Sequence, residues 1–344
     1  MSLETASITS SIGPKWPPDE TSFKRIKGFY DLSIIDSEAK LNNLLTEVEY
    51  IAQSVSNDTV PATRLSIRAI TQNNILTSEN PRLHKYGEAV IPLQGSSPHF
   101  EDTSILYLGY NSDSRQSDVQ DLQDCIENYQ AAHIKKSLPA SQIIERVIEA
   151  GYELNTISAP ISDTSLVSQL AEIYSRFDWT LEQVEEILTN PNNFLTYASF
   201  EGRVVSAGLG EFNKITIGDE KDDLTLKIIE LTEAATVTEH QGQGLYSAVA
   251  TKGLVELAKG SVPFIKDGVD LVYGECNGHN QGVLKAARYQ GRTFAAEAAQ
   301  KMKLPFNGLL LQHVPIFGSS KISEYNNLLP AFLSRATLNE FAKG

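Results

Sequence analysis

The sequence has few of the residues that build disulfide or metal scaffolds. Among its 344 residues are two cysteines, Cys125 and Cys276, which lie too far apart to suggest a disulfide framework or a zinc motif. The six histidines form no metal-ligand spacing. We therefore expect reduced thiols, a cytoplasmic location and a function that uses no metal.

Basic charge and long apolar runs are scarce as well. The formal net charge of -14 argues against nucleic acid as the main partner, because binding phosphates requires clustered lysine and arginine. A cationic small substrate fits this charge, and a surface that only keeps the protein in solution explains it equally well. No apolar run reaches the length of a membrane span, and the N-terminal segment lacks a basic stretch followed by an apolar core. We expect neither a membrane partner nor a signal peptide.

The remaining composition is that of a folded protein with more than one domain. Hydrophobic residues make up 41% of the chain and charged residues 21%, which argues against a disordered protein. Residues 1–20 are rich in Ser, Thr and Pro, which predicts a loose N-terminal arm. For residues 21–150 we expect an accessory α/β domain, in which no group of residues suggests a catalytic or binding site. Gly151 resembles a helix C-cap and opens a second domain over residues 151–318, and a short helix or arm follows over 319–344.

The spacing of apolar residues predicts the secondary structure of both domains. In the first domain we expect helices over Ser37–Val55, Val119–Tyr129 and Ser141–Ala150, and strands over Arg64–Ala69, Ala89–Leu93 and Thr103–Tyr110. In the second domain we expect helices after Asp163 and Thr180 and over Asn280–Tyr289, and strands over Tyr152–Ser158, Phe194–Phe200, Val204–Phe212, Val269–Gly274 and Phe306–Val314.

One stretch, Leu224–Lys259, organises the second domain. Its first half predicts a strand and its second half a helix, and a glycine-rich turn, Gln241–Gly244, joins them. Such a turn exposes the first backbone N–H groups of the helix, which suits them to bind a phosphate. The same turn also occurs as a purely structural connection, because a strand, a turn and a helix are a common unit.

From residue 151 the predicted order is strand, helix, helix, hairpin, long strand, glycine turn, helix, strand, helix and strand. This is not a repeated strand–helix alternation, so a doubly wound dinucleotide-binding fold fits poorly. The order resembles the GNAT superfamily of acyl-CoA-dependent N-acyltransferases, whose turn has Arg or Gln, two residues, Gly, one residue, and Gly or Ala. Gln241, Gly244 and Tyr246 fall on those three places, and Tyr246 departs from the pattern. A shifted register, with Glu239, Gly242 and Gly244, keeps both glycines but loses the Arg or Gln, and we prefer the first.

Within that superfamily the strand Glu230–Thr236 is similar to β-lysine N-acetyltransferases, and so are Asn280, Lys285 and Gly291–Thr293. The resemblance covers residues 151–318. It implies a GNAT-like mixed central sheet flanked by helices, with acetyl-CoA or another acyl-CoA as co-substrate and no metal. The strand end would pair with the pantetheine arm and the turn would hold the pyrophosphate. The residues implied in binding are Thr236, Val237, Gln241, Gly242, Gln243, Gly244, Leu245, Tyr246 and Asn280, of which the last is equally well explained as a helix N-cap.

The strand before the turn offers two carboxylates as the base that takes the proton of an attacking amine. Alternation places Glu230 and Glu233 on opposite faces unless a bulge intervenes, and the resemblance implies a base with the parity of Glu230. Glu230 is otherwise a solvent-facing or ion-paired carboxylate. The tyrosine that the family often uses as an acid is replaced by Ala287, and Tyr289 is an alternative acid or a packing residue. Cys276 has no predicted partner for nucleophilic catalysis and is expected to be a buried small residue.

These patterns predict an N-acyltransferase, in the first place an N-acetyltransferase. It would act on a primary amine of a small molecule such as an amino acid or polyamine, by direct attack in a ternary complex. One alternative is a GNAT-fold protein that has lost the chemistry and serves as a CoA-binding or interaction module. Another is a nucleotide-binding protein of a different fold, against which the strand order argues. The first domain is expected to cover the acceptor site or to mediate homodimerisation.

Overall fold

The computed structural model describes residues 25–56, 64–111, 119–132, 138–175, 179–217, 224–265, 268–315 and 325–343. The arm predicted for residues 1–20 lies outside them. The strands are β1 (Arg25–Ile35), β2 (Arg64–Gln72), β3 (Gly87–Pro92), β4 (Thr103–Asn111), β5 (Glu153–Ser158), β6 (Asn193–Phe200), β7 (Arg203–Ile217), β8 (Leu224–Thr236), β9 (Leu271–Asn277), β10 (Thr293–Phe294), β11 (Leu310–Pro315) and β12 (Tyr325–Ser334). The α-helices are α1 (Glu38–Ser56), α2 (Pro81–Tyr86), α3 (Val119–Ala131), α4 (Ala140–Glu149), α5 (Thr164–Tyr174), α6 (Leu181–Thr189), α7 (Leu245–Ala258), α8 (Gln281–Tyr289), α9 (Ala295–Lys301) and α10 (Arg335–Glu340).

The first four strands form one sheet in the order β1-β2-β4-β3. β1 and β2 are parallel, and the other neighbours are antiparallel. Helix α1 packs on this sheet with the apolar stripe that the sequence predicts, because Leu44, Leu45 and Val48 are fully buried. The mixed α/β character predicted for this half of the chain is confirmed, with β1 and α2 as elements that the pattern does not reveal.

The other eight strands form a second sheet along the path β10-β12-β9-β8-β7-β6-β5, with β11 beside β12. β5 to β8 are antiparallel neighbours, whereas β8 and β9 are parallel. The predicted hairpin between β6 and β7 is present, with positive φ angles at Glu201 and Gly202. Two predicted helix starts are also present: Asp163 caps α5, and Thr180 and Gln183 form the capping box of α6.

Helices cover both faces of the second sheet. On β6, Leu195 packs with α5 and α6, and the preceding Phe194 packs with α7 on the opposite face, as strand alternation requires. The first sheet shares the face of α5 and α6, because Leu209 and Ile215 of β7 have the same parity and Ile215 belongs to the apolar cluster that contains Ile67 of β2. The predicted class, a mixed central sheet flanked by helices, is confirmed. No helix in the described ranges is long and apolar enough to cross a bilayer.

The C-terminal segment corrects the prediction of a helix or arm. Tyr325–Ser334 is strand β12, which lies inside the second sheet between β9 on one side and β10 and β11 on the other. Helix α10 begins after it, at Arg335. Leu328, Leu329 and Leu333 are at most 5% exposed. A strand that is buried on both faces has no apolar–polar alternation, and for this reason the sequence pattern does not reveal it.

Candidate functional site

The hydrogen-bonded ladder between β8 and β9 is short. The two strands pair over three residues, from Ile228 with Leu271 to Glu230 with Tyr273, and the pairing ends there. Beyond that point no pairing joins residues 231–236 of β8 to residues 274–277 of β9, and we name the space between these two segments the β8–β9 slot. The inner edges of both strands carry backbone groups that are not used in pairing these two strands.

A bulge in β8 lies along this slot. β7 advances two residues from Ala207 to Leu209, while β8 advances three from Thr232 to Ala235. The extra residue re-aims the side chains that follow it, as bulges do near functional sites. Glu233, the second predicted carboxylate, belongs to this bulge, and its side chain lies outside the described residues.

The glycine turn has the form that an anion site needs. Gly242 and Gly244 have φ angles of +78° and +79°, and a Cβ on either residue would meet nothing within 4 Å. Gly244 is the N-cap of α7 and has no side chain with which to cap the first N–H groups of the helix. Gln243 is exposed on the same turn, and Gln241 folds back to donate from Nε2 to the Thr236 carbonyl at 3.2 Å.

The first two residues of α7 point away from the turn. Leu245 is buried, at 1% exposed, and Tyr246 lines a small cavity between α7 and the sheet. Burial raises the pKa of Tyr246 to about 12. Tyr246, which departs from the family pattern, is partly buried, and part of its bulk is turned toward the sheet.

Thr236 and Val237, at the end of β8, are the two residues whose backbone was predicted to bind the pantetheine arm. One of their two N–H groups is used in a hydrogen bond within the sheet. Val237 donates its N–H to the Val205 carbonyl at 2.8 Å, so this group is already engaged. Strand alternation turns the N–H of Thr236 the other way, toward the β8–β9 slot. The Thr236 hydroxyl is hydrogen-bonded to the Ser206 hydroxyl at 2.8 Å, which fixes this strand end.

Glu230 belongs to a hydrogen-bond network that joins the two sheets. The Tyr273 hydroxyl donates to Glu230, and Arg68 of β2 donates from Nη1 to the Tyr273 hydroxyl at 2.8 Å. Arg68 also forms an ion pair with Glu275 at 3.2 Å, and Tyr107 lies under its guanidinium. Burial raises the pKa of Tyr273 well above its usual value, so this hydroxyl keeps its proton. The direct partner of Glu230 among the described residues is thus a tyrosine hydroxyl, whereas the ion-paired alternative required a lysine or an arginine.

The other predicted residues lie apart from this network. Asn280 acts as the N-cap of α8 and accepts from the Val283 N–H at 3.1 Å. Tyr289 packs in an apolar cluster with α4 and α7 and is not brought to Glu230. Ala287, where the family often has a tyrosine, is fully buried. Cys276 is a buried small residue as expected, and burial raises its thiol pKa to about 11.

Arg68 and Tyr273 are site residues that the sequence does not indicate. Tyr273 falls within the strand predicted at Val269–Gly274, but its pairing with Glu230 follows from the register between β8 and β9. Arg68 lies 205 residues from Tyr273 along the chain, in a domain without a recognisable motif. The sequence offered one signal, an arginine within a predicted strand, because strands of a folded domain are often buried. This signal does not indicate which residues the arginine contacts.

No protein-family model matches this chain, and no curated protein matches its sequence. Several solved structures are similar to it. The ribosomal-protein-S18-alanine N-acetyltransferase from Escherichia coli is 14% identical over 53% of this chain and 94% of that chain, with a TM-score of 0.37. Arabidopsis thaliana NAA60 in complex with acetyl-CoA is 10% identical over 53% of this chain and 98% of that chain, with a TM-score of 0.38. The yncA protein from Salmonella typhimurium with its cofactor acetyl-CoA is 13% identical over 54% of this chain and 94% of that chain, with a TM-score of 0.36.

At these identities and TM-scores the comparisons assign no role to any residue. The chain itself has the order that the resemblance predicts from residue 151: strand, two helices, hairpin, long strand, glycine turn and helix. After these come a parallel strand, a helix and further strands of the same sheet. The second half of the chain has a GNAT-like mixed α/β fold.

Proposed function

We propose that this protein is an N-acyltransferase that moves an acyl group, in the first place acetyl, from acyl-CoA to a primary amine of a small molecule. One observation carries the proposal: the β8–β9 slot opens next to a glycine turn that leads into α7. A slot between two strand segments that do not pair with each other suits an extended pantetheine arm. A helix N-terminus at its open end suits the pyrophosphate.

The open end of the slot would bind the pyrophosphate through backbone groups. The N–H groups of Gly242, Gln243 and Gly244, followed by those of Leu245 and Tyr246, form the start of α7 and its turn. Positive φ angles at the glycines let the backbone approach the phosphates closely. The backbone at Thr236 would pair with the pantetheine arm and donate to the thioester carbonyl, which gains charge during attack.

Glu230 is the proposed general base. It is the last residue of β8 that pairs with β9, so it lies at the closed end of the slot. The hydrogen bond from Tyr273 fixes its orientation, and a water molecule would relay the proton of the amine. Glu233 in the bulge is the second candidate. A CoA thiolate is a good leaving group, and the reaction therefore does not depend on a tyrosine in place of Ala287.

The acceptor would approach from the face of the sheet on which Glu230 lies. That face also carries α5, α6 and the first sheet, which packs beside the slot through Arg68. An amino acid or a polyamine is the class of acceptor we propose. The first sheet would act as one wall of the acceptor site.

A second candidate function is CoA binding without turnover. Glu230 already holds a hydrogen bond from Tyr273, and Ala287 stands where the family often has its acid. In that case the slot and the turn would bind CoA, while no amine would be acylated. The protein would then act as a CoA-dependent interaction module.

A turnover assay separates these two functions. Full-length protein is incubated with acetyl-CoA and a panel of amino acids and polyamines, and release of the CoA thiol is measured. We expect turnover with at least one amine, and Glu230→Gln should lower kcat roughly 100-fold while CoA affinity stays unchanged. Glu211→Gln on the neighbouring strand is the matched control and should change kcat little. CoA binding without turnover on any amine would favour the second candidate.

A further inference from the structure

A buried arginine lies between α7 and the second sheet. Arg292 follows α8 and is 4% exposed. It lines a cavity of about 30 Å³ together with Leu231 of β8 and Tyr246 and Gly253 of α7. A guanidinium in such surroundings is costly unless an anion or a set of hydrogen-bond acceptors compensates its charge.

Two of its nitrogens have no such compensation. Nε and Nη2 of Arg292 are buried, and no described residue accepts a hydrogen bond from them. The N–H bonds of these two atoms point the same way along one edge of the planar group. That edge binds both oxygens of a carboxylate at once, whereas a single carbonyl oxygen would satisfy it incompletely.

Arg292 reaches the closed end of the β8–β9 slot. A Cβ built on Gly274 would lie 3.1 Å from its Nη1 atom and 2.8 Å from the Leu231 carbonyl oxygen. Gly274 directly follows Tyr273, so strand alternation puts these two residues on opposite faces of the sheet. Arg292 therefore lies on the α7 side of the slot, and Glu230, which meets Tyr273, lies on the other.

We infer that Arg292 binds a carboxylate at the far end of the acyl chain, so that the acyl donor is the CoA ester of a short dicarboxylic acid. The inference rests on the proposed function, because it requires the thioester to lie in the slot. An amine acceptor approaches Glu230 from the opposite face, which leaves the acyl chain as the source of the carboxylate. The cavity of about 30 Å³ holds about two water molecules, a space suited to one carboxylate group on a short chain such as malonyl or succinyl.

Isothermal titration of the full-length protein with succinyl-CoA and butyryl-CoA tests this inference. The two acyl chains have the same number of carbons and differ by the terminal carboxylate. We expect the wild type to bind succinyl-CoA at least about tenfold more tightly, because the carboxylate makes two charge-assisted hydrogen bonds. Arg292→Gln should reduce that ratio to about one and leave the affinity for butyryl-CoA unchanged. Lys285→Gln removes an exposed cation of α8 and should keep the wild-type ratio.

The outcomes distinguish the inference from the proposed function. Equal binding of both esters by the wild type, or a preference that survives Arg292→Gln, overturns the inference and leaves the proposed function in place. Failure of the wild type to bind either ester contradicts both. Arg292→Gln should also raise the Tm of the free protein, since it removes an uncompensated buried charge. Arg292→Lys keeps a charge without the paired N–H edge, and it should also bind succinyl-CoA more weakly than the wild type.

Discussion

At the residue scale, Arg68 links the first sheet to the candidate base. Its side chain is 8% exposed, and the guanidinium contacts Tyr273 and Glu275 of β9, while Tyr273 in turn donates to Glu230. The buried cation thus contacts one carboxylate and one phenol directly, and the phenol links it to a second carboxylate. Removing that cation would leave Glu275 and Glu230 in partly desolvated surroundings without a compensating charge.

We therefore predict that Arg68→Met lowers the free energy of unfolding by about 3–5 kcal/mol, the usual cost of breaking a buried ion pair. Urea denaturation measures the change. Arg82→Met is the control, because Arg82 is 39% exposed and its pairing with Glu49 spans 3.9 Å. An exposed pair of this kind contributes less than about 1 kcal/mol. Similar losses in the two variants would contradict the structural role given to Arg68.

Individual site residues differ in how far the sequence predicts them. The glycines of the turn are predictable because a strand, a turn and a helix follow one another locally, and Gly242 and Gly244 have the positive φ angles that such a turn requires. The choice of Glu230 as base comes from the family resemblance combined with strand parity, and it stays a prediction. Arg68 and Arg292 are not predictable in the same way, since their roles depend on packing between segments that are distant in sequence.

At the scale of secondary-structure elements, β12 is central to the second sheet. It pairs with β9 along one edge and with β10 and β11 along the other. Leu328, Leu329, Phe332 and Leu333 of this strand are all buried. At about 1.5–3 kcal/mol for each buried side chain, these four contribute about 6–12 kcal/mol. That sum is comparable to the whole stability of a typical domain, which is about 5–15 kcal/mol.

We predict that a chain ending at residue 324 does not fold, whereas a chain ending at residue 334 retains cooperative unfolding. The first lacks β12, and the second keeps β12 and lacks α10, which buries Leu338 alone. Near-ultraviolet circular dichroism and urea denaturation measure the difference. A stable chain ending at residue 324 would contradict the central position of β12. It would instead support the sequence-based expectation that residues 319–344 form a helix or arm.

Elements are predictable where one face is exposed and the ends are capped. Helix α1 shows its apolar stripe, and α5 and α6 begin at Asp163 and Thr180, whose side chains bond the first N–H groups. β12 is buried on both faces, so apolar and polar residues do not alternate along its sequence. The short β10 and α9 depend on contacts with β12 and β3, which a local pattern does not contain.

At the scale of the whole molecule, the two sheets share one apolar core. The cluster that contains Ile67 and Leu106 of the first sheet also contains Leu226, Ile228 and Phe332 of the second. We propose that the unit predicted over residues 21–150 works as a fixed wall of the site. The sequence suggests two domains, and the two halves of the chain do form separate sheets. The sequence does not reveal that these two sheets pack closely together.

The central claim is that the β8–β9 slot and its turn bind CoA, and isothermal titration of the full-length protein with acetyl-CoA, CoA, ATP and NAD tests it most directly. Gly244→Asp and Gly244→Asn are a matched pair, since both residues tolerate the positive φ angle of +79° and differ in one negative charge. We predict micromolar binding of acetyl-CoA and CoA alone, weakened about tenfold or more by the aspartate and little by the asparagine. Absence of CoA binding, or binding of ATP or NAD in its place, would contradict the account.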